Sequence, residues 1–298
     1  ITLEDRSGTL WVGTFGGGLF RCEGSNVESV DISHGTVLSL FEDREGSIWV
    51  GTAGGGLNRV RPSVLELQDT ASGLPFETAR SICVDGNGGI WVAGRNGALA
   101  RFANGVWHLF DANDGWLGAP ATCVVSDSDG AVWIGTYQYG VLYRWHNGSF
   151  TKLARSDGLG GSTIRLLLPD RSGNLWVGLS SPNGLQRLKN GKFQTFVQPP
   201  GSEAVCAAAE DAMGQIWMGT TSGSLLRVAE NELVDETKRA LTPTRAITCL
   251  RATPDGNLWI GYIGAGVGRL SEKGFDPITP EEGLPAGHIF DIMPDNRG

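Results

Sequence analysis

The chain has no apolar run near the roughly 18 to 20 residues that a membrane-spanning helix needs, and no basic segment leading into an apolar core like that of a secretory signal. No stretch of its 298 residues reads as a span. Cationic runs are missing too: 24 Lys and Arg stand against 32 Asp and Glu, a net charge of −8 with no basic stripe to offset it. A phosphate backbone is repelled on average, so nucleic acid is not an expected partner. The five cysteines, Cys22, Cys83, Cys123, Cys206 and Cys249, have no CxxC spacing and no histidine-rich surroundings, which removes support for a zinc site or a redox motif. Four of them sit in apolar strands, where free buried thiols are expected over disulfides. With four histidines, no P-loop or dinucleotide fingerprint and no Ser, His and Asp constellation, neither a metal nor a cofactor is expected.

What the chain has in abundance is glycine, 45 residues, and a sentence repeated seven times around Trp11, Trp49, Trp91, Trp133, Trp176, Trp217 and Trp259. The intervals are 38, 42, 42, 43, 41 and 42 residues. A period near 42 built of short strands and turns predicts an all-β, seven-bladed β-propeller of four-stranded antiparallel blades. One period running end to end predicts a single domain over residues 1–298.

Each unit opens with an apolar strand, A, such as Val37 to Phe41 or Ile164 to Leu168, read as buried on both faces. It ends in Asp-x-x-Gly, the Asp six residues and the Gly three before the tryptophan; Asp bonds the backbone ahead and Gly supplies positive φ. The seventh copy has Thr253 in place of Asp, so its turn is expected to differ. Strand B carries the tryptophan as sheet-packing material, followed by a Gly that lets the neighbouring sheet approach. Strand C ends each repeat's Arg pattern: Arg21, Arg59, Arg101, Arg144, Arg187, Arg227 and Arg269. A residue present in every copy serves what every blade needs, and these arginines are expected to stitch blades together through turn Asp residues or carbonyls.

Asn104-Gly105, Asn147-Gly148 and Asn190-Gly191 are two-residue hairpin signals leading into an outermost strand D. Gly-Leu or Gly-Trp then marks the crossing to the next blade. Trp116 occupies a leucine slot there, which favours packing over ligand stacking. Residues 1 to 7 and about 288 to 294 are copies of the same element, so one extra copy of the innermost strand is predicted. A seven-bladed ring has room for one of them; the other is expected to be displaced, disordered or bound to a missing neighbour. The chain begins and ends inside a repeat, as a fragment of a longer one would.

The segment from Asp43 to Arg59, Asp-Arg-Glu-Gly-Ser-Ile-Trp-Val-Gly-Thr-Ala-Gly-Gly-Gly-Leu-Asn-Arg, followed by Gly73-Leu74-Pro75, closely resembles the two-component regulator propeller repeat. The resemblance covers essentially the whole chain. It implies the extracytoplasmic, periplasmic sensor part of a membrane-anchored histidine kinase, hybrid regulator or diguanylate cyclase. In the hybrid systems the implied ligand is an oligosaccharide, and the implied partners are flanking propeller or signalling domains and a second copy in a homodimer.

The blade pattern says where a ligand could sit. Turns between A and B and between C and D repeat monotonously on one face, whereas the B–C loops and the lead-ins to strand A vary. Recognition demands variety, and a hydroxyl-rich ligand needs aromatic faces and bidentate polar groups. The candidate ligand-binding residues are Phe15, Glu77, Arg95, Asn96, Tyr137, Tyr139, Asn183, Glu203 and Arg245. The same loops would serve a protein-interaction disc without a small ligand. A third reading, a streptogramin-lyase-like enzyme, is suggested by Asp255 to Trp259. That family tends to carry Glu three residues after the tryptophan, where this chain has Thr14, Thr52, Gly94, Thr136, Leu179, Thr220 and Tyr262. No acid is available there to hold a metal or take a proton. The domain is expected to be non-catalytic.

Overall fold

Strong hairpin turns and a tryptophan period leave little room for helix, and the computed structural model, which describes residues 1–24, 26–61, 68–238, 245–278, 284 and 287–294, has 27 strands and two single-turn 3-10 segments. The chain divides into two units, Ile1–Leu67 and Gln68–Gly298. The first holds a four-stranded antiparallel blade, Thr2–Glu4, Leu10–Gly13, Leu19–Glu23 and Asn26–Val30, and a three-stranded one, Val37–Glu42, Ile48–Thr52 and Leu57–Val60. Residues 62–67, after the third strand, lie outside the described residues. The second unit holds five four-stranded blades, each an antiparallel meander in chain order. Seven blades of the β-propeller class are therefore present, as the period predicts.

Within a blade, strand B pairs through the tryptophan with the arginine of strand C: Trp133 faces Arg144, and Trp176 faces Arg187. The three Asn-Gly C–D hairpins have both central residues at positive φ, as in Asn147 at 49° and Gly148 at 79°, the twist that matches antiparallel strands. Blades pack face to face in clusters that span successive repeats. Trp176, Leu185 and Phe196 meet Val205, Ile216 and Met218, and Trp217 and Leu225 meet Ile247 and Ile260. The glycine two residues after the tryptophan is where the next sheet comes closest: a Cβ on Gly219 would lie 2.4 Å from Ile247 Cγ2, and one on Gly178 would lie 2.6 Å from the Val205 carbonyl oxygen.

Two expectations need correction. Strand A is not buried on both faces. Burial alternates along Val205–Glu210 and is sparse along Val37–Glu42, because only one face of the innermost strand meets the next blade. The strand C arginines do not stitch blades by hydrogen bonds; six of the seven bond to side chains within their own blade. Arg101 Nε donates to Asp85 at 2.6 Å, Arg227 Nε to Glu236 at 2.9 Å, and Arg59 Nη2 to Glu45 at 2.6 Å. Most also lie over their own blade's tryptophan, Arg59 at 5.1 Å and Arg187 at 5.4 Å, while Arg101 reaches Trp145 of the following blade. The blade-to-blade staple is a different arginine, one residue after the turn Asp. Arg171 donates to Glu210 and to the Asp211 carbonyl of the next blade, and Arg6 does the same with Glu42 and the Asp43 carbonyl.

The extra copy of the innermost strand that the sequence predicts is present, and both copies are placed. Thr2–Glu4 pairs with Leu10–Gly13 in the first blade. Residues 288–292 lie against the last blade: Ile289 N donates to the Tyr262 carbonyl at 3.2 Å, Arg251 Nε to the Ile292 carbonyl at 2.9 Å, and Thr248 Oγ1 to the Ile289 carbonyl. Thr122 makes the matching bond to Ile164 of the next blade at 2.6 Å. The second copy therefore fills the place where a following blade's strand A would sit. Residues 295–298, where the chain ends inside a repeat, lie outside the described residues.

Candidate functional site

The variable side of the second unit is assembled from loop bases that bond to one another. The short turn Arg95–Gly97 packs so closely on the next crossing that a Cβ on Gly97, at φ +85°, would fall 1.9 Å from the Gly118 carbonyl oxygen. Trp116 donates its indole N–H to the Gly97 carbonyl at 2.6 Å and is 1% exposed, so it packs as its leucine slot implies. From there Tyr137 N donates to the Pro120 carbonyl at 2.8 Å, Gln138 N to Thr163 Oγ1 at 3.1 Å, and Gly140 N to the Ser162 carbonyl at 2.8 Å. Ser162 in turn donates to the Ser181 carbonyl at 3.2 Å. Arg95, Asn96, Tyr137, Tyr139 and Asn183 thus stand on one continuous arc of loops across three blades.

All these side chains are exposed, Tyr137 by 42% and Tyr139 by 62%. Glu203 accepts Thr221 Oγ1 at 2.9 Å, which fixes its carboxylate beside the loop of its own blade. Glu77 and Arg245 are exposed, without a hydrogen-bonded link to the arc. Phe15, 95% exposed and bridged to Thr36, belongs to the first unit. None of the nine lines any of the four clefts described below.

The threonines three residues after the tryptophan have a structural task. Thr14, Thr52 and Thr136 donate their hydroxyls to the Gly18, Gly56 and Val141 carbonyls at 2.9, 2.8 and 2.6 Å. They close the B–C loop where a lyase-like site would need an acid. Among the described residues no group of three or more His, Cys, Asp and Glu is placed to hold a metal ion. The thiols are all free; burial pushes Cys83 up to about 12 and Cys123, Cys206 and Cys249 up to about 11.

Sequence reasoning discounted the repeated turns, and there the structure has more chemistry than expected. Six turn aspartates clamp the indole of their own tryptophan: Nε1 to Oδ2 is 2.8 Å for Trp11–Asp5, Trp49–Asp43, Trp91–Asp85 and Trp176–Asp170, 2.7 Å for Trp133–Asp127, and 2.9 Å for Trp217–Asp211. The constant six-residue spacing was the signal. Trp49 and the Ser47 and Glu45 amides, with Arg59, hold Asp43 down at about 2 despite its desolvation. Burial pushes Asp85 up, but hydrogen bonds from Arg101, Trp91 and the Gly89 and Asn87 amides outweigh it and bring it to about 2. Thr253 cannot make the clamp, and its hydroxyl bonds Asp255 instead, yet Gly256 keeps φ at +84°.

Among the described residues, the clefts between neighbouring blades on this turn side include four. They measure about 290 Å³ at Asp127 to Asn190, 600 Å³ around Arg101 and His146, 360 Å³ around Gln215 and Asn257, and 280 Å³ at Arg171 and Glu210.

Comparison with known proteins gives a consistent picture. Residues 31–54, 73–96 and 115–138 match the family described as "Two component regulator propeller". No curated protein matches the chain. Among solved structures, the extracellular domain assigned to the hybrid two component system BT3049 of B. thetaiotaomicron is 22% identical, with a TM-score of 0.62 over 97% of this chain and 41% of that one. Virginiamycin B lyase from Staphylococcus aureus is 14% identical, with a TM-score of 0.60 over 81% of this chain and 84% of the enzyme. PorZ, a surface component of the type-IX secretion system of Porphyromonas gingivalis, is 16% identical, with a TM-score of 0.60 over 96% and 48%. At these identities the likeness is one of fold. The chain spans less than half the length of the two component system domain.

Proposed function

From a chain that carries two component regulator propeller repeats, we propose a ligand-binding sensor: the extracytoplasmic propeller of a membrane-anchored bacterial signalling receptor, non-catalytic in itself. The observation that carries this reading is the repeat match at residues 31–54, 73–96 and 115–138, which follows the tryptophan and turn sequence and not a catalytic motif. The ligand is an oligosaccharide or another small hydroxylated molecule. Exposed Tyr137 and Tyr139 supply ring faces, while Asn183 and Arg95 on the same arc supply hydrogen bonds, the combination that sugars require. Flanking propeller or signalling domains and a second copy of the chain are the proposed partners. Phe15, with 95% of its surface exposed, favours a second reading in which a loop docks a protein and no small ligand is involved.

The test is a thermal-shift screen of the chain against oligosaccharides and small metabolites, with Tyr137→Ala, Arg245→Ala as the control. Ligand at 100 times its Kd should add about 2.7 kcal/mol. A shift produced by one glycan class and lost in the double mutant is the expected outcome. A folded protein that responds to no member of a broad panel would favour the docking reading.

A further inference from the structure

We infer that the turn side carries a second, separate binding site, a cleft between the blades of Trp133 and Trp176 that takes a small zwitterion, an α-amino acid with an apolar side chain. The first observation is Arg144. Six of the seven strand C arginines have a side-chain acceptor in their own blade: Arg21 has Glu23, Arg59 has Asp43 and Glu45, Arg101 has Asp85, Arg187 has Gln194, Arg227 has Glu236 and Arg269 has Asp276. Arg144 lies over Trp133 at 5.5 Å, and among the described residues its guanidinium has no hydrogen-bond acceptor and no ion-pair partner. It is held in place by stacking, with its donors unspent.

The second observation is independent and comes from the facing blade. Asn174 is 8% exposed and lines the same cleft; its Nδ2 donates to Asp170 at 2.8 Å, and its Oδ1 has no partner. A buried acceptor without a donor is destabilising, and a ligand N–H would relieve it. The third group is the Asp129 carboxylate, exposed on the rim and, among the described residues, without a hydrogen-bond partner. The other two carboxylates of the cleft are occupied. Asp127 accepts the Trp133 indole and the Asp129 and Ala131 amides, and Asp170 accepts the Trp176 indole, Asn174 and the Ser172 amide.

Among the described residues, one cation, one buried acceptor and one anion of this cleft remain without partners, around a wall of Trp133, Leu153 and Leu188. A carboxylate answers Arg144, an ammonium answers Asn174 Oδ1 and Asp129, and an apolar side chain answers the wall. A volume of about 290 Å³ sits at the foot of the range for small-molecule pockets and admits one metabolite. The other clefts lack the combination. Arg101 and Arg171 are already bonded to Asp85 and Glu210, and the cleft around Asn257 contains no arginine.

Calorimetric titration of the full chain with L-leucine and L-phenylalanine tests the site, with leucinamide, N-acetyl-leucine and glucose as comparison probes. The free amino acids should bind. Leucinamide, which lacks the carboxylate, and N-acetyl-leucine, which lacks the ammonium, should each bind at least tenfold more weakly. Arg144→Gln should abolish the tenfold preference for leucine over leucinamide, whereas Tyr137→Ala, Arg245→Ala should leave leucine binding unchanged, so failure here is separable from failure of the glycan screen. No binding of any amino acid to the folded wild-type chain overturns the inference. Equal affinity for leucine and leucinamide, or binding of glucose alone, overturns it as well, and both comparisons hold without any variant.

Discussion

At the scale of single residues, the turn aspartate does three things at once: it orders its turn, bonds the indole and, in the third blade, accepts Arg101. Asp85 stands near 3.8 in an unfolded chain and at about 2 in the folded one. A depressed carboxyl stabilises the fold above the unfolded value, and that contribution disappears as pH falls through the folded one. Asp85→Asn should cost roughly 1.5 to 3 kcal/mol at pH 7, the value of charge-assisted bonds. It should also lose less stability than the wild type between pH 4 and 2. Denaturant midpoints at pH 7, 4 and 2.5 decide this, and parallel acid limbs would show that Asp85 does not carry the effect.

At the scale of the strand and the blade, tight packing rests on a missing side chain. Gly219→Ala places a methyl 2.4 Å from Ile247 Cγ2, and overpacking of that kind costs about 1 to 3 kcal/mol. A melting temperature equal to the wild type's would mean that the last blade shifts at no cost. Blades, hairpins and crossings were legible in the sequence because each is fixed by a local signal: Asn147-Gly148 has few backbone options, and Trp116 sits in a slot that leucine fills elsewhere. The burial of strand A was not legible, since an apolar run reads the same whether one face or both are covered. The arginines misled for a related reason. Arg101 and Arg171 carry the same charge, and only geometry shows that the first bonds within its blade and the second to the next. Variation picked out Tyr137, Tyr139 and Asn183 and the structure puts them on one arc, yet variation is blind to Arg144, which matters because its six counterparts have acceptors and, among the described residues, it has none.

At the scale of the whole molecule, the period argues for one cooperative domain. Differential scanning calorimetry of residues 1–298 should then give a single transition whose calorimetric and van't Hoff enthalpies agree. Two resolved transitions would assign Ile1–Leu67 and Gln68–Gly298 to separate cooperative units. Recurrence of one unit also means recurrence of its hazards, and the innermost strands carry four of the five cysteines. At neutral pH, thiols titrating at about 11 to 12 keep a reactive anion fraction on the order of one in ten thousand or less. At these four strands, oxidants and wandering disulfides find almost no nucleophile to engage.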